Sequence, residues 1–298
     1  MTIRSSNDRR IAEHISDENL ESGYVQMSSA FWQNLGKTAI TFILGIVITL
    51  LIWQCLAWYC NDIKDLAMSF PTPAESIGYV LGHIDIDIYG TGRNIMEHTM
   101  ASLKRLAIAF SLAAVVGIIG GSILGYYTKI YSVGIVPVTV FQSIPGLAWV
   151  PIALLLFGLG DDAAVFIIFA VSCTVITLNV AGGIRMVPQV IIRAAGMMGA
   201  TPSIMFIKVL IPYALVSIIN GLRVGLGSAW RVLIAAEMLI GTGIGLGSAM
   251  EFLRDNLDYV GAFGCIVIIC TIGLFIDKVL FSSIEKYARH KLGLEEGY

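Results

Sequence analysis

The sequence predicts an all-α polytopic membrane protein with about six transmembrane helices. The chain has 298 residues, of which 56% are hydrophobic and 13% are charged, whereas soluble domains contain about 25% charged residues. Its mean hydropathy is +0.80. Several uncharged runs match the roughly 20 apolar residues that a helix needs to cross a bilayer core. These runs are continuous and do not alternate, which favours helices over a transmembrane β-barrel.

The chain begins with a polar segment, one span and a polar loop. Residues 1–38 are expected to form a cytoplasmic N-terminal tail, because they are charged and lack the early apolar region of a secretory signal. Residues 39–60 are uncharged and form the first predicted transmembrane helix, whose aromatic end near Trp58 suits a membrane interface. The polar residues 61–104 are predicted to form an external loop with a short helix at 74–82.

Residues 105–285 contain the other predicted spans. The run 130–160 is interrupted by prolines, so we expect one kinked span, or a span followed by a half-buried turn. The run 106–127 carries glycines that would let another helix approach closely. Residues 286–298 form a predicted cytoplasmic C-terminal tail. The predicted spans in this part of the chain are 106–127, 130–160, 163–184, 212–240 and 259–276.

The distribution of lysine and arginine near the span ends predicts that both termini lie in the cytoplasm. Lys104 and Arg105 run against this bias, since the same orientation places them outside. On this topology residues 185–211 are cytoplasmic. The basic residues on the predicted inner side are Arg4, Arg9, Arg10, Lys37, Lys129, Arg185, Arg193, Lys208, Lys286, Arg289 and Lys291.

The segment 185–211 is predicted to form two short helices joined by a tight turn. Pro188 suits the first turn of a helix, and Gly199 suits a chain reversal or a very close contact. Thr201 can cap the second helix, with Pro202 at its first position. Two interpretations remain open: an amphipathic loop resting on lipid, or a small and pliable surface that fits a groove of another protein.

This segment resembles a motif of known transporters. The permease subunits of binding-protein-dependent ABC importers share the pattern E-A-A-x3-G-x9-I-x-L-P, and residues 193–212 fit its spacing, with Arg193 where the family often has Glu. The resemblance implies that 185–211 is a cytoplasmic coupling loop that docks on an ATPase subunit. The residues implied in coupling are Arg193, Ala194, Ala195, Gly199, Ala200 and Pro212.

The resemblance extends over most of residues 100–285. The stretches 142–162, 178–184 and 221–247 look like the subgroup of permeases that imports nitrate, sulfonates, taurine or bicarbonate. This implies a type I ABC importer permease fold, with 105–285 as the permease core domain. The implied partners are two ABC ATPase subunits, a second permease copy and an extracytoplasmic substrate-binding protein, in a bacterial or archaeal plasma (inner) membrane. A homodimer is expected, a heterodimer with another permease stays open, and no nucleic acid partner is expected.

The sequence assigns no catalytic residue, metal or cofactor to this chain. It lacks the phosphate-loop motif G-x-x-x-x-G-K-[ST], and its histidines and cysteines show no metal-ligand spacing. We therefore expect ATP and Mg²⁺ on the partner ATPase. A stand-alone secondary transporter is the alternative class. It would show an inverted repeat, but the first half of the sequence has no counterpart of the segment 185–211.

Polar residues inside the spans are the candidates for the translocation pathway, because an ionisable group at membrane depth costs about 2.5–3.5 kcal/mol on insertion scales. They are Arg223, Arg231 and Glu237 in the fifth predicted span and Asn179 in the fourth. One hypothesis places Arg231, with Arg223, on the pathway of a small anion such as nitrate, sulfonate, taurine or bicarbonate. The alternatives are inter-helix salt bridges or water contacts, and for Asn179 a hydrogen bond between helices. A neutral substrate, such as a vitamin precursor, is the other substrate class.

Overall fold

A computed structural model describes residues 40–63, 69–83 and 92–285. The predicted tails at 1–38 and 286–298 lie outside these residues. The chain divides into two compact units, one up to Pro73 and the other from Ala74 onward. Helices make up the regular structure of the described residues.

The first unit contains one long apolar helix, α1 (Ile40–Asp62), in the place of the predicted first span. Its last turn widens into a π-helix at Tyr59–Ile63. The side chain of Asn61 then holds the chain that follows, accepting a hydrogen bond from the backbone N–H of Phe70 at 2.6 Å and donating one to its carbonyl at 3.0 Å. Trp53 Nε1 donates to the carbonyl of Pro71 at 3.0 Å, so the returning segment is tied to α1 at two points.

The second unit is built around three long helices that pack on one another: α3 (Ile95–Tyr126), α6 (Asp161–Arg185) and α9 (Ile211–Ile240). Breaks of only a few residues separate most of its neighbouring elements. The helices are α2 (Pro73–Gly82), α3 (Ile95–Tyr126), α4 (Thr128–Ser143), α5 (Val150–Phe157), α6 (Asp161–Arg185), α7 (Gln189–Met197), α8 (Pro202–Ile204), α9 (Ile211–Ile240), α10 (Leu246–Asp255) and α11 (Tyr259–Phe275). A 3₁₀-helix precedes α5 at Gly146–Trp149, and π-helical turns join α8 to α9 at Met205–Leu210 and extend α11 at Ile276–Phe281.

Small residues bring α3 and α6 into direct backbone contact. Gly117, Gly121 and Gly125 recur every four residues along α3. A Cβ at any of them would collide with Ile176, Val180 or Ile184 of α6. Membrane helices associate through such close packing, because lipid tails offer no hydrophobic gain for bringing helices together. The prediction of a small-residue face on this span is therefore confirmed.

Five described helices are long and apolar enough to cross a membrane. A sixth crossing exists if α4 and the segment Gly146–Phe157 count as one span, although they are bent by 99° at the residues between them. Pro145 lies in that bend, directly before the 3₁₀-helix. The predicted run 130–160 is thus two helices joined by a sharp bend, which form either one broken span or a span and a re-entrant segment, and Pro137 is tolerated within α4.

Helix α3 includes the last ten residues of the predicted external loop, 95–104. Asn94 caps it, accepting a hydrogen bond from the N–H of Glu97 at 2.9 Å. The polar side chains that suggested a loop are instead the buried face of the helix: His98, Ser102 and Arg105 lie at intervals of three and four residues and are all buried.

Candidate functional site

The segment 185–211 forms the predicted helix–turn–helix, which we call the elbow. Helix α7 follows Pro188, and the chain reverses at Gly199, whose φ of +80° is readily adopted only by glycine. Thr201 then caps α8 by accepting a hydrogen bond from the N–H of Ile204 at 3.4 Å, with Pro202 in the first turn. The elbow is therefore specified locally by its prolines, its glycine and its cap.

The tip of the elbow exposes apolar side chains. Val190, Met197 and Met198 are 76%, 84% and 86% exposed. Exposed methionines of this kind form adaptable binding surfaces, because the unbranched side chain can adopt many shapes. The other side of the elbow packs on the core, where Ile192 and Met205 contact the cluster that contains Ile184 and Leu210.

The predicted coupling residues lie on or beside this surface. Arg193 and Gly199 are exposed, whereas Ala194, Ala195 and Ala200 are half-buried. The carbonyls of Ala194 and Ala195 accept hydrogen bonds from the N–H groups of Met198 and Ala200 at 3.1 and 3.0 Å, which closes the turn. Pro212 is half-buried in the first turn of α9.

The ends of α3, α4 and α6 meet near the elbow. The guanidinium of Arg185 lies 3.9 Å over the ring of Tyr131, at the start of α4. Tyr126 at the end of α3 meets Phe206 edge-on, with ring centroids 5.5 Å apart. These contacts define the elbow end of the bundle.

A buried polar network occupies the opposite end. Glu237 of α9 is 0% exposed and accepts hydrogen bonds from Arg105 Nη1 at 2.7 Å and from Ser102 Oγ at 2.8 Å. Arg105 also donates from Nε to Asp161 at the start of α6, at 2.8 Å. The structure thus places Glu237 in an inter-helix ion pair and not on an open pathway surface. The three helices α3, α6 and α9 are joined by this cluster.

The glycine-rich turn after α9 completes the network. The N–H of Gly247 donates to Glu237 Oε2 at 3.0 Å, and the N–H of Leu246 donates to Ser102 Oγ at 2.9 Å. The N–H of Gly245 donates to His98 Nδ1 at 3.0 Å. Since α10 begins at Leu246, the network fixes the entry of α10 as well.

Arg223 is paired within the fold. Its Nε donates to Asp277 at 2.8 Å and its Nη1 donates to Glu285 at 3.2 Å. Both partners lie on the helical segment that begins with α11, so Arg223 joins α9 to this last described helix. The salt-bridge alternative therefore describes Arg223 better than an open pathway position.

Asn179 makes its hydrogen bond within its own helix. Its Nδ2 donates to the carbonyl of Val175 at 2.9 Å. The predicted bond between helices is absent from the described residues. The contact of Asn179 with α9 is one of packing, because a Cβ on Gly221 would collide with the Asn179 side chain.

Arg231 differs from the other charged residues of α9. Its side chain is exposed, and its one recorded hydrogen bond is a 3.3 Å contact from Nη2 to Ser228 Oγ. Within the described part of the chain no carboxylate forms a salt bridge with it. It shares an exposed face of α9 with Tyr213, Asn220 and Val224, at steps of seven, four and seven residues.

Sequence reasoning missed Arg105 and Ser102 as partners of Glu237, and Asp161 as the second partner of Arg105. A signal for Arg105 was present, because this residue and Lys104 contradicted the charge bias used for orientation. A basic residue that violates the bias next to a span is a candidate for pairing inside the protein.

The fold and these sites define a multi-pass membrane permease subunit. The chain belongs to the family of binding-protein-dependent transport system inner membrane components, which matches residues 113–283. It is thus a component of an ABC importer and not a catalytic enzyme.

Three permeases are similar to this chain over most of its length. The chain is 37% identical over 240 residues to a putative ABC transporter permease of Methanocaldococcus jannaschii, covering 80% of this chain and 88% of that protein. It is 30% identical over 239 residues to the nitrate import permease NrtB of a Synechocystis strain, covering 79% and 84%. It is 32% identical over 257 residues to the bicarbonate transport permease CmpB of the same strain, covering 83% and 88%.

A solved structure shares the fold. A chain of the MetNI methionine ABC transporter, in an inward-facing conformation, superimposes with a TM-score of 0.56 at 21% identity. The match covers 65% of this chain and 95% of that chain. The type I ABC importer permease fold is therefore confirmed.

Proposed function

We propose that this chain forms the translocation pathway for a small anion and is driven by a separate ATPase subunit that grips the elbow. The observation that carries the proposal is the exposed methionine tip of the elbow, on a turn that is otherwise tightly specified. A purely lipid-bound loop would not require so defined a turn. A surface that must fit a groove of another protein would.

The elbow is built to transmit movement into the bundle. From Pro202 the helix runs without a non-helical break to Ile240, a length of 39 residues. A displacement at the elbow therefore acts on α9, which carries Arg231 along its course and Glu237 at its far end. The network of Glu237 holds α9 to α3 and α6 there, so the far end serves as a fixed point about which α9 can tilt.

The full transporter would contain two copies of this chain and two ATPase subunits, one for each elbow. Closed assemblies of identical subunits usually have two-fold symmetry, which suits one elbow per ATPase. ATP and Mg²⁺ would be bound by the ATPase subunits. The elbow end would lie in the cytoplasm together with both chain termini, and an extracytoplasmic binding protein would deliver the substrate at the opposite end of the bundle.

Arg231 supports an anionic substrate. It is an exposed cation on a membrane helix without a carboxylate partner among the described residues, and such a group favours an anion nearby. The nitrate and bicarbonate permeases among the relatives agree with this substrate class. A neutral solute is the second candidate, because the methionine transporter shares the fold.

Uptake into proteoliposomes tests this proposal. The permease would be reconstituted with the ATPase subunit and the binding protein that assemble with it, and uptake of labelled nitrate, bicarbonate, an alkanesulfonate and a neutral vitamin precursor would be compared with and without ATP. We expect ATP-dependent uptake of one of the anions. ATP-dependent uptake of the neutral solute alone would reject the anion, and uptake without the ATPase would reject the coupling.

A further inference from the structure

The break between α4 and the Gly146–Phe157 segment lies at mid-depth in the bundle. Tyr131, which contacts Arg185 at the elbow end, precedes Ser143 by 12 residues, a rise of about 18 Å along a helix. Helix α6 has 25 residues, which makes it about 37 Å long. The end of α4 therefore stands near the middle of α6.

A second contact gives the same depth. A Cβ on Gly146, just after the break, would meet Val171 of α6 and Val232 of α9. Val171 lies ten residues into α6 from Asp161, or about 15 Å from the end opposite the elbow. Two independent contacts thus place the non-helical residues well inside the length of α6, away from both of its ends.

Several residues around this break are exposed on the surface of the chain. Gln142, Ser143 and Pro145 are all exposed. Non-helical backbone at membrane depth is tolerated only where it is covered by protein or lines a water-filled cavity, because lipid satisfies no hydrogen bonds. This side of the break therefore faces the pathway or another protein surface, and not lipid.

Arg231 is the sequence neighbour of the α9 residue that packs on this break. That residue, Val232, is buried against Gly146, whereas the side chain of Arg231 is exposed. Ser143 precedes Gly146 by three residues, so their Cα atoms are at most about 11 Å apart. The guanidinium and the polar side chains of the break therefore lie at a similar depth in the bundle.

We propose that Arg231 and Gln142 form a transient binding site for a single small oxyanion, halfway along the pathway. This inference rests on the proposed function and adds a specificity residue to it. The guanidinium supplies the positive charge and paired N–H donors that suit two oxygens of a planar or tetrahedral anion. The carboxamide of Gln142 supplies a neutral donor. Ser143 contributes less, because its hydroxyl already donates to the carbonyl of Thr139 at 2.8 Å.

Such a site would lower the free-energy cost of moving an anion through the bundle. An anion at membrane depth is costly unless charge and hydrogen bonds compensate it. One charge and one neutral donor provide that compensation for an ion in transit. A site with several fixed charges would hold the ion too strongly for release.

The test uses the complete transporter in proteoliposomes and measures both anion uptake and ATPase activity stimulated by the loaded binding protein. We expect Arg231→Gln to lower the initial uptake rate about tenfold or more, the effect of losing a charged hydrogen bond. Gln142→Ala is expected to lower it by a smaller factor, and Arg231→Lys to retain part of the rate. Each variant should still co-purify with the ATPase subunits, and stimulated ATPase activity should stay near the wild-type level in the control variants. Leu239→Ala on α9 and Val140→Ala on α4, both exposed apolar positions, are the matched controls and should import normally.

Chemical modification of the Arg231→Cys variant distinguishes the loss of the positive charge from misfolding of the protein. Arg231→Cys would be modified in the assembled complex with a positively charged aminoethyl thiol reagent or with a negatively charged sulfonatoethyl one, and the wild type would be treated in parallel. The cationic reagent should restore uptake and the anionic one should not. Wild-type uptake by Arg231→Gln and Gln142→Ala, or equal rescue by both reagents, would overturn the site while leaving the proposed function intact. If the wild type imports only a neutral solute, the proposed function and the site both fail.

Discussion

Arg105 Nη1 donates a 2.7 Å hydrogen bond to Oε1 of Glu237, across 132 positions of sequence and between α3 and α9. The arginine side chain is 7% exposed and the glutamate side chain 0%. A pair this deeply buried is stable only when both members keep their partners, since each charge lost leaves the other without compensation.

Replacing Arg105 should destabilise the permease strongly. Arg105→Ala leaves Glu237 buried without its counter-charge, which costs on the order of 3–5 kcal/mol. The measurement is the thermal unfolding temperature of the purified protein in detergent. The matched control is Arg254→Ala, because Arg254 also binds two carboxylates, Glu251 and Asp255, but on an exposed surface. Exposed pairs of this kind contribute little to stability, so this control should unfold close to the wild-type temperature.

The double variant Arg105→Ala with Glu237→Ala tests the pairing itself. It should unfold at a higher temperature than the sum of the two single effects predicts, because residues in direct contact do not behave additively. Strict additivity would show that the two side chains act independently.

Alanine substitutions at Gly243 and Gly245, in the turn after α9, should destabilise the protein to different extents. Gly243 has a φ of +72° and open space around its Cα, whereas Gly245 has a φ of +152° and faces the carboxylate of Glu237. Gly243→Ala should therefore cost only backbone strain, of about 1–2 kcal/mol. Gly245→Ala should cost more, because the added methyl group also displaces Glu237 from its network. Equal unfolding temperatures for the two variants would contradict the role given to this turn.

Arg223 should act as a bridge between α9 and the helix that begins with α11. In Arg223→Gln the carboxylates of Asp277 and Glu285 lose their shared cation, so the unfolding temperature should fall. The side chains are partly exposed, at 30% for Arg223 and 46% for Asp277, so the expected loss is about 1 kcal/mol. Adding Asp277→Asn and Glu285→Gln to Arg223→Gln should recover most of that loss. No recovery would indicate that Arg223 acts through contacts other than its charge.

Much of the fold could be predicted because the bilayer constrains it strongly. Uncharged runs predict the long helices. Prolines and glycines predict the elbow and the break, because both types of residue restrict or free the local backbone. The elbow's cap at Thr201 and reversal at Gly199 are properties of neighbouring residues. A single sequence is sufficient for such signals.

The site was harder to predict because its contacts are distant in sequence. The 132 positions between Arg105 and Glu237 leave no local pattern. The polar start of α3 resembles a loop in sequence, because the hydrophilic face of this helix points inward. The same limit applied to Arg223, whose partners lie 54 and 62 positions away. Arg231 could be recognised as a candidate from its place in a span, but its lack of a carboxylate partner is visible only in the structure.

The proposed function depends most on the exposed tip of the elbow being the surface that docks on an ATPase subunit. The most direct measurement incorporates a photo-crosslinking amino acid at Met198 and identifies the adducts formed in the native membrane by mass spectrometry. Met100, on α3 at the opposite end of the bundle and 60% exposed, is the control position. We expect an adduct with an ATP-binding subunit from position 198, and none with that subunit from position 100. Adducts from position 198 that contain lipid alone, or no protein with an ATP site, would contradict it.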